Sequence, residues 1–333
     1  MAKVYCITNN FLRNLRNLLK ENLPAGLGKT AVKLHMGEYG NLNYLRPVWA
    51  ELIVDVLKTK KAKPFLVDSP SLYPGPRDSV KGYLEITRKH GYTKEGVGAE
   101  IVVSDTPFTV KRERNLKGIE VVKEIAEAEA MIVLSHFKGH NDSGFGGAIK
   151  NLGMGAVTKK TKAEMHGFKP WVDLEKCIGC GICANVCKVQ KAIKIESKKA
   201  VINSANCFGC GACIDACPQR AICSKASVRE LLPEAAEAVL STFKKSKVWY
   251  VNVLFDITLL CDCWSISSEK VCPDIGVLFS DDIVAIDKAS LDLVNEKIGK
   301  DFSLYFHKLN IKPLFQKAED LNLGKMNYQL VKV

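Results

Sequence analysis

The chain predicts an α/β fold, a largely parallel sheet with helices, interrupted by an inserted cysteine-rich unit. Three observations predict it. Apolar, β-branched runs alternate with stretches of helical period. The alternation breaks once, at two dense cysteine motifs, and resumes downstream. The 333 residues suffice for a large core and more than one domain. The expected division is an α/β core from 1–168 and 225–333, with the insert at 169–224.

In chain order, "AVKLHMG" (31–37) reads as a strand. "RPVWAELIVDVLKT" (46–59) has helical period, with Pro47 near its start where the missing N–H costs nothing. "KPFLVDS" (63–69) is a second strand, and "RDSVKGYLEITRKHG" (77–91) a helix closed by Gly91. "AEIVVSD" (99–105) is a third strand, "GIEVVKEIAEA" (118–128) a helix, and "AMIVLSHF" (130–137) a fourth strand. Beyond the insert, "VRELLPEAAEAVLSTF" (228–243) is helical, with Pro233 expected near its first turn. "KVWYVNVLFDIT" and "DIGVLFS" are strands, and "AIDKASLDLVNEKIG" is a helix. Strands alternating with helices imply parallel pairing.

The hydrophobic fraction of 47% and charged fraction of 25% are ordinary for a globular protein. No apolar run reaches the length of a membrane span, and the first residues hold no uninterrupted apolar core of a secretory signal, so a cytoplasmic protein is expected. Its thirteen cysteines then point to metal or redox chemistry rather than disulfides. The net charge of +12 is carried by scattered lysines without a basic-aromatic motif, which argues against a nucleic-acid partner. It suits an acidic protein partner or an anionic substrate.

"CIGCGICANVC" (177–187) reads C-x2-C-x2-C-x3-C, and "CFGCGACIDACP" (207–218) repeats it with the trailing proline. The doubled run is the signature of a bacterial two-cluster ferredoxin. Three cysteines on one tight loop reach three corners of one cubane, and the fourth lies too far along and ligates the other. Cluster 1 therefore takes Cys177, Cys180, Cys183 and Cys217, and cluster 2 takes Cys207, Cys210, Cys213 and Cys187. Lys188 stands where the first motif often carries proline. Lys188, Lys191, Lys194, Lys198 and Lys199 between the motifs would favour the reduced clusters and dock an acidic electron donor or acceptor.

The predicted strands run out into His35, Asp68, Asp105, His136 and Asp256. In open α/β sheets ligands bind beyond the carboxyl ends of the strands, so these ends predict a polar crevice. After the fourth strand comes "HFKGHNDSGFGGAIKNLGMG" (136–155). It matches no zinc-protease or dinucleotide motif. Its turn at Gly144, Gly146 and Gly147, with Lys150 behind it, is a candidate anion cradle. His136, His140 and His166 are candidate proton carriers. Tyr73 and Arg77, on "SLYPGPR", are candidate contacts for a small anionic substrate, since an arginine fork suits carboxylate or phosphate. Cys261 and Cys263, one residue apart, are expected near the crevice in one of three roles: free cysteines beside a functional loop, ligands of a further metal ion with His140 or His166 (Cys272 being a third thiol close by), or redox-active thiols. A disulfide within so short a loop, in a cytosolic protein, is disfavoured.

Five segments together, "KLHMGEYGNLNYLRP", "LVDSPSLYPGPR", "HFKGHNDSGFGGAIKNLGMG", "CDCW" and "PDIGVLFSDDIVAIDKAS", resemble the domain of unknown function 362 family in its ferredoxin-containing form. The resemblance spans nearly the whole chain and implies an iron–sulfur, oxidoreductase-like protein with no assigned substrate. The His, Gly-rich turn and Lys arrangement is also similar to the N-terminal domain of the nickel-pincer lactate racemases, although likeness of fold does not determine function. The expected function is an iron–sulfur oxidoreductase passing electrons through two [4Fe–4S] clusters to an anionic substrate or metal site in the crevice. The alternative is a non-catalytic electron carrier or redox-responsive binding protein, which would show exposed clusters and no pocket.

Overall fold

The computed structural model describes residues 1–187, 191–244 and 246–333, so Lys188 lies outside the described residues. One eight-stranded sheet organises the chain. Its order is Tyr328–Lys332, Ala2–Ile7, Gly276–Ser280, Val248–Leu254, Ala130–His136, Lys29–Lys33, Lys63–Asp68 and Glu100–Val103. Gly276–Ser280 alone runs opposite to the other seven. The protein is thus α/β with a mostly parallel sheet.

The side-chain period of two explains how the sheet buries both faces. In Ala130–His136, Met131 and Val133 enter one core, while Ala130, Ile132 and Leu134 enter the other. Val248–Leu254 splits likewise, with Val248, Tyr250 and Leu254 on one side and Trp249, Val251 and Val253 on the other. Helices Phe11–Asn22, Pro47–Thr59 and Val80–Lys89 cover the second face. Helices Ala148–Gly153, Val228–Leu240 and Ile283–Ile298 cover the first.

Local signals set the helix ends. Pro47 is at the first turn of its helix. Ser79 accepts from the amide of Gly82, and Asp282 from Val284 and Ala285. Ser227 and Glu230 form a reciprocal capping box. Gly91, after Val80–Lys89, takes a φ of 83°, which favours glycine.

Two expectations are corrected. Residues 118–128 form a strand, Gly118–Val122, and then a single turn of helix, Lys123–Ala126. Buried Ile119 and Val121 alternate with Gly118 and Glu120, and the strand pairs antiparallel with Pro107–Lys111. Pro233 sits inside Val228–Leu240, a turn deeper than expected. Burial of Leu231, Leu232, Ala235, Ala236 and Val239 offsets the lost amide bond.

Between Lys159–Gly167 and Val228–Leu240 the described residues contribute no strand to the central sheet. It forms two-stranded ribbons, Trp171–Val172 with Ile222–Cys223 and Ile193–Glu196 with Lys199–Ile202. Its small core holds Cys177, Cys183, Ile193, Ala200, Cys213, Ala221 and Ile222. Among the described residues no helix is long and apolar enough to cross a membrane.

Candidate redox and anion-binding site

Each cysteine motif folds as a loop entering a short helix, Ile182–Val186 or Ala212–Ala216. Gly181 and Gly211 cap these helices at φ of 79° and 81°, a conformation that turns the loop tightly enough for neighbouring sulfurs to converge. Two cavities result. One is lined by Cys177, Cys180, Cys183 and Cys217, with Ile178, Ile195 and Ile222 among its walls. The other, of about 400 Å³, is lined by Cys187, Cys207, Cys210 and Cys213. Each therefore draws three cysteines from one motif and one from the other.

Backbone amides point at the sulfurs: Ala200 at Cys177 (3.3 Å), Ala192 at Cys187 (3.4 Å) and Ala221 at Cys217 (3.2 Å). Burial pushes the Cys210 thiol up to about 12, so a bare thiolate there is costly. Four sulfur donors, amide hydrogen bonds to sulfur and apolar walls fit a tetrathiolate metal group. Cys180 is exposed, whereas the second cavity is also lined by Asn141 and His307, from outside the cysteine-rich segment. Arg229, a residue with no sequence signal, is buried beside the second helix. It donates to Asp215 at 2.7 Å and to the carbonyl of Asn310.

The strand ends meet on the same side of the molecule. Lys33 and Asp68, both buried, pair at 2.9 Å. Lys33 also donates to Asn151 (2.6 Å), and the Tyr83 hydroxyl donates to Asp68 (2.5 Å). Lys162 donates to Ser69 Oγ (2.7 Å) and the Pro70 carbonyl (2.5 Å). His35 takes the amide of Gly37 on Nδ1 (3.0 Å), while its buried Nε2 has no partner among the described residues. Burial keeps this ring well below the ordinary histidine range, and Arg77, Lys150, Lys33 and Lys162 push it the same way. The Lys150 ammonium makes no hydrogen bond or ion pair among the described residues. Burial pushes it down to about 8, against the pull of Asp142. Two of the predicted strand-end acids serve the scaffold: Asp105 takes the amide of Lys159 (2.8 Å), and Asp256 pairs with Lys270 and Arg46.

The three histidines separate in role. His136 is held at both nitrogens, by Asp262 (2.7 Å) and the Phe255 carbonyl (2.7 Å), and its ring bridges the two. Burial pushes the Asp262 carboxyl up, but His136 and Lys138 outweigh this and hold it below the usual range. His166 Nδ1 donates to the Phe208 carbonyl (2.8 Å), and the Tyr73 hydroxyl donates to Nε2 (3.1 Å), tying "SLYPGPR" to the second cysteine loop. His140 comes together with Cys261 and Cys263: one ligand atom of each lies within 4.8 Å of the others. Its Nδ1 already accepts the amides of Asp142 (3.1 Å) and Ser143 (3.3 Å).

Three expectations change. Arg77 is buried and not free, its Nε on Glu38 (2.8 Å) and a terminal nitrogen on the Cys263 carbonyl (3.4 Å). The Gly144–Gly147 turn holds no outside anion, because Asp287 fills it. The first amides of Ala148–Gly153, from Ala148 and Ile149, both donate to this carboxylate at 2.7 and 2.9 Å. A Cβ on Gly147 would lie 2.4 Å from Asp287 Oδ1, so glycine is required here for packing. Cys272 lies in the main core, outside the His140 group. Cys261 and Cys263 keep the expected place beside His140 and are also in disulfide contact with each other, Cα atoms 5.3 Å apart. A turn closed by the amide of Trp264 on the Cys261 carbonyl (3.1 Å) folds one over the other.

Lys162 and His307 lie outside the quoted motifs, and Lys138, Asp142 and Asp262 lie within them without being singled out as site residues; burial in the folded chain marks all five. Asp262 alone had a cue, a carboxylate between two cysteines.

The fold and site define a cysteine-rich α/β protein whose four-cysteine cavities are able to hold metal. The model of the family described as domain of unknown function (DUF362) matches residues 30–292, and the chain belongs to that family. No curated protein matches. Among solved structures, the chain is similar to the lactate racemase apoprotein from Thermoanaerobacterium thermosaccharolyticum at 12% identity and a TM-score of 0.38, covering 77% of this chain and 51% of that one. A protein from Thermotoga maritima is similar at 11% identity and a TM-score of 0.36, covering 73% and 49%. The chain thus spans about half the length of the structures it matches.

Proposed function

We propose that the protein is a cytoplasmic iron–sulfur oxidoreductase. Residues 169–224 form its ferredoxin-like unit and hold two [4Fe–4S] clusters, the first on Cys177, Cys180, Cys183 and Cys217, the second on Cys207, Cys210, Cys213 and Cys187. The clusters supply one-electron transfer. An external donor or acceptor protein meets the side of Cys180, where Lys199 hydrogen-bonds the carbonyls of Cys177 and Leu174 at 2.6 and 2.7 Å. The second cluster faces the crevice. There Lys150, Lys162 and His35 bind an anionic substrate, and His166 with Tyr73 carries protons. The observation that carries this reading is the pair of cavities, each lined by a crossed set of four cysteines, the second abutting Asn141 and His307. A non-catalytic carrier would not need Lys150 and Lys162, neither with an ion-pair partner among the described residues, beside its strand ends.

Anaerobically purified protein should contain about eight iron and eight sulfide per chain. Its reduced form should show the electron paramagnetic resonance of two spin-coupled cubanes. Stoichiometric zinc without iron would defeat the reading.

The lysines make anion binding pH-dependent. Burial pushes Lys162 down to about 7 and Lys150 to about 8. Both values lie below the ordinary lysine value, so between them and about pH 10.4 the unfolded chain binds more protons and stability rises with pH. An anion needs the charged forms. Affinity for inorganic phosphate or acetate should therefore fall about tenfold or more from pH 6 to pH 9. Calorimetry in buffers of different ionisation heat should show proton uptake on binding at pH 8. A flat profile would remove both lysines from the site.

A further inference from the structure

The Cys261–Cys263 pair has a place in the electron path that a metal site does not explain. The two cysteines lie on an irregular loop with Cα atoms 5.3 Å apart, inside the range a disulfide spans, and the structure pairs them. Cys261 is buried, and Cys263 is half-buried. The amide of Cys263 donates to Cys261 Sγ at 3.4 Å, a contact that stabilises a thiolate.

The only other ligand-type group converging on them among the described residues is His140. That ring has no lone pair to offer. Its Nδ1 accepts two backbone amides, so the neutral ring carries its proton on Nε2. A metal would be left with two thiolates alone. A dithiol needs no such ligand, and an Nε2–H beside the sulfurs can donate to them.

The pair is also one residue layer from the second cysteine cavity. Asn141, adjacent to His140, lines that cavity, and so does His307. A Cβ on Gly139 would lie 2.5 Å from His307 Nε2 and 2.4 Å from the Leu259 carbonyl, so His307, Gly139 and the cysteine loop are packed in contact.

We propose that Cys261 and Cys263 form a dithiol–disulfide couple that is the two-electron terminus of the two clusters. The proposal rests on the cluster reading above. A cubane passes one electron, and a disulfide takes two, so one electron from each reduced cluster completes the step. The S–S bond breaks, two protons are taken up, two thiols form, and both clusters return to their oxidised state. A one-electron donor of low potential recharges the clusters. The dithiol then stands as a two-electron reductant beside the cation-lined crevice.

The test uses anaerobic holoprotein whose clusters are first verified by iron content and paramagnetic resonance. The oxidised and dithionite-reduced forms are alkylated under denaturing conditions, and the Cys261–Cys263 peptide is read by mass spectrometry. Both cysteines should be blocked in the oxidised form and both alkylated in the reduced form. In reductive titration, the double variant Cys261→Ser with Cys263→Ser should consume about two fewer electrons per chain than the wild type, with the resonance of both clusters unchanged. Equal alkylation in both forms with clusters present would overturn the couple. So would a stoichiometric non-cluster metal lost in the double variant. Absence of clusters from the wild type would defeat the cluster reading, and the iron analysis registers that separately.

Discussion

Cys217→Ala should remove the cluster of the other motif. Cys217 belongs to the second cysteine run, yet it lines the cavity of Cys177, Cys180 and Cys183. Its sulfur takes the amide of Ala221 at 3.2 Å from within the same small core. Iron should fall from about eight to about four per chain. The discriminating measurement is the double variant Cys177→Ala with Cys217→Ala. If both residues serve one cluster, the second substitution removes nothing further, and about four irons remain. If each run held its own cluster, the two changes would strike different clusters and almost no iron would be left. Non-additivity of this kind reports a shared site.

Asp68→Ala should cost about 3–5 kcal/mol of stability, the loss expected when one partner of a buried ion pair is removed. Lys33 and Asp68 are both almost wholly buried at the ends of adjacent strands, and Tyr83 adds a hydrogen bond to the same carboxylate. Without Asp68 the Lys33 ammonium keeps only Asn151 and the Leu34 carbonyl (3.5 Å) as acceptors. Denaturant unfolding should show a lower midpoint. Lys33→Met in the Asp68→Ala background should recover much of the loss, because the uncompensated charge is then gone. Equal stability of wild type and Asp68→Ala would mean that water reaches this pair.

The long periodic elements were legible in the sequence because burial on both sheet faces leaves near-continuous apolar runs. Lys63–Asp68, Ala130–His136 and Val248–Leu254 are strands of that kind. Ala2–Ile7 and Tyr328–Lys332 were not predicted. The latter is an edge strand whose pattern of partial exposure gives weak contrast. Residues 118–122 read as helical because Ile119, Val122 and Ile125, three apart, fit a helical period, while Ile119 and Val121 equally fit the period of a strand. The cysteine motifs were legible because their ligands are local in sequence. The crevice was legible only in outline. Strand ends located it, but which charges are paired depends on residues far apart along the chain. Arg77 meets Glu38 39 residues away, and the glycine turn is filled by Asp287, 139 residues from Ala148. Spacing within a motif cannot reveal such partners.

The central claim is that two cubanes sit in the two crossed cysteine sets, and anomalous scattering at the iron edge from crystals grown anaerobically tests it most directly. Two compact four-iron peaks are expected, one among Cys177, Cys180, Cys183 and Cys217, and one among Cys187, Cys207, Cys210 and Cys213. A single peak, zinc at either place, or iron bound by the four cysteines of one run would contradict it.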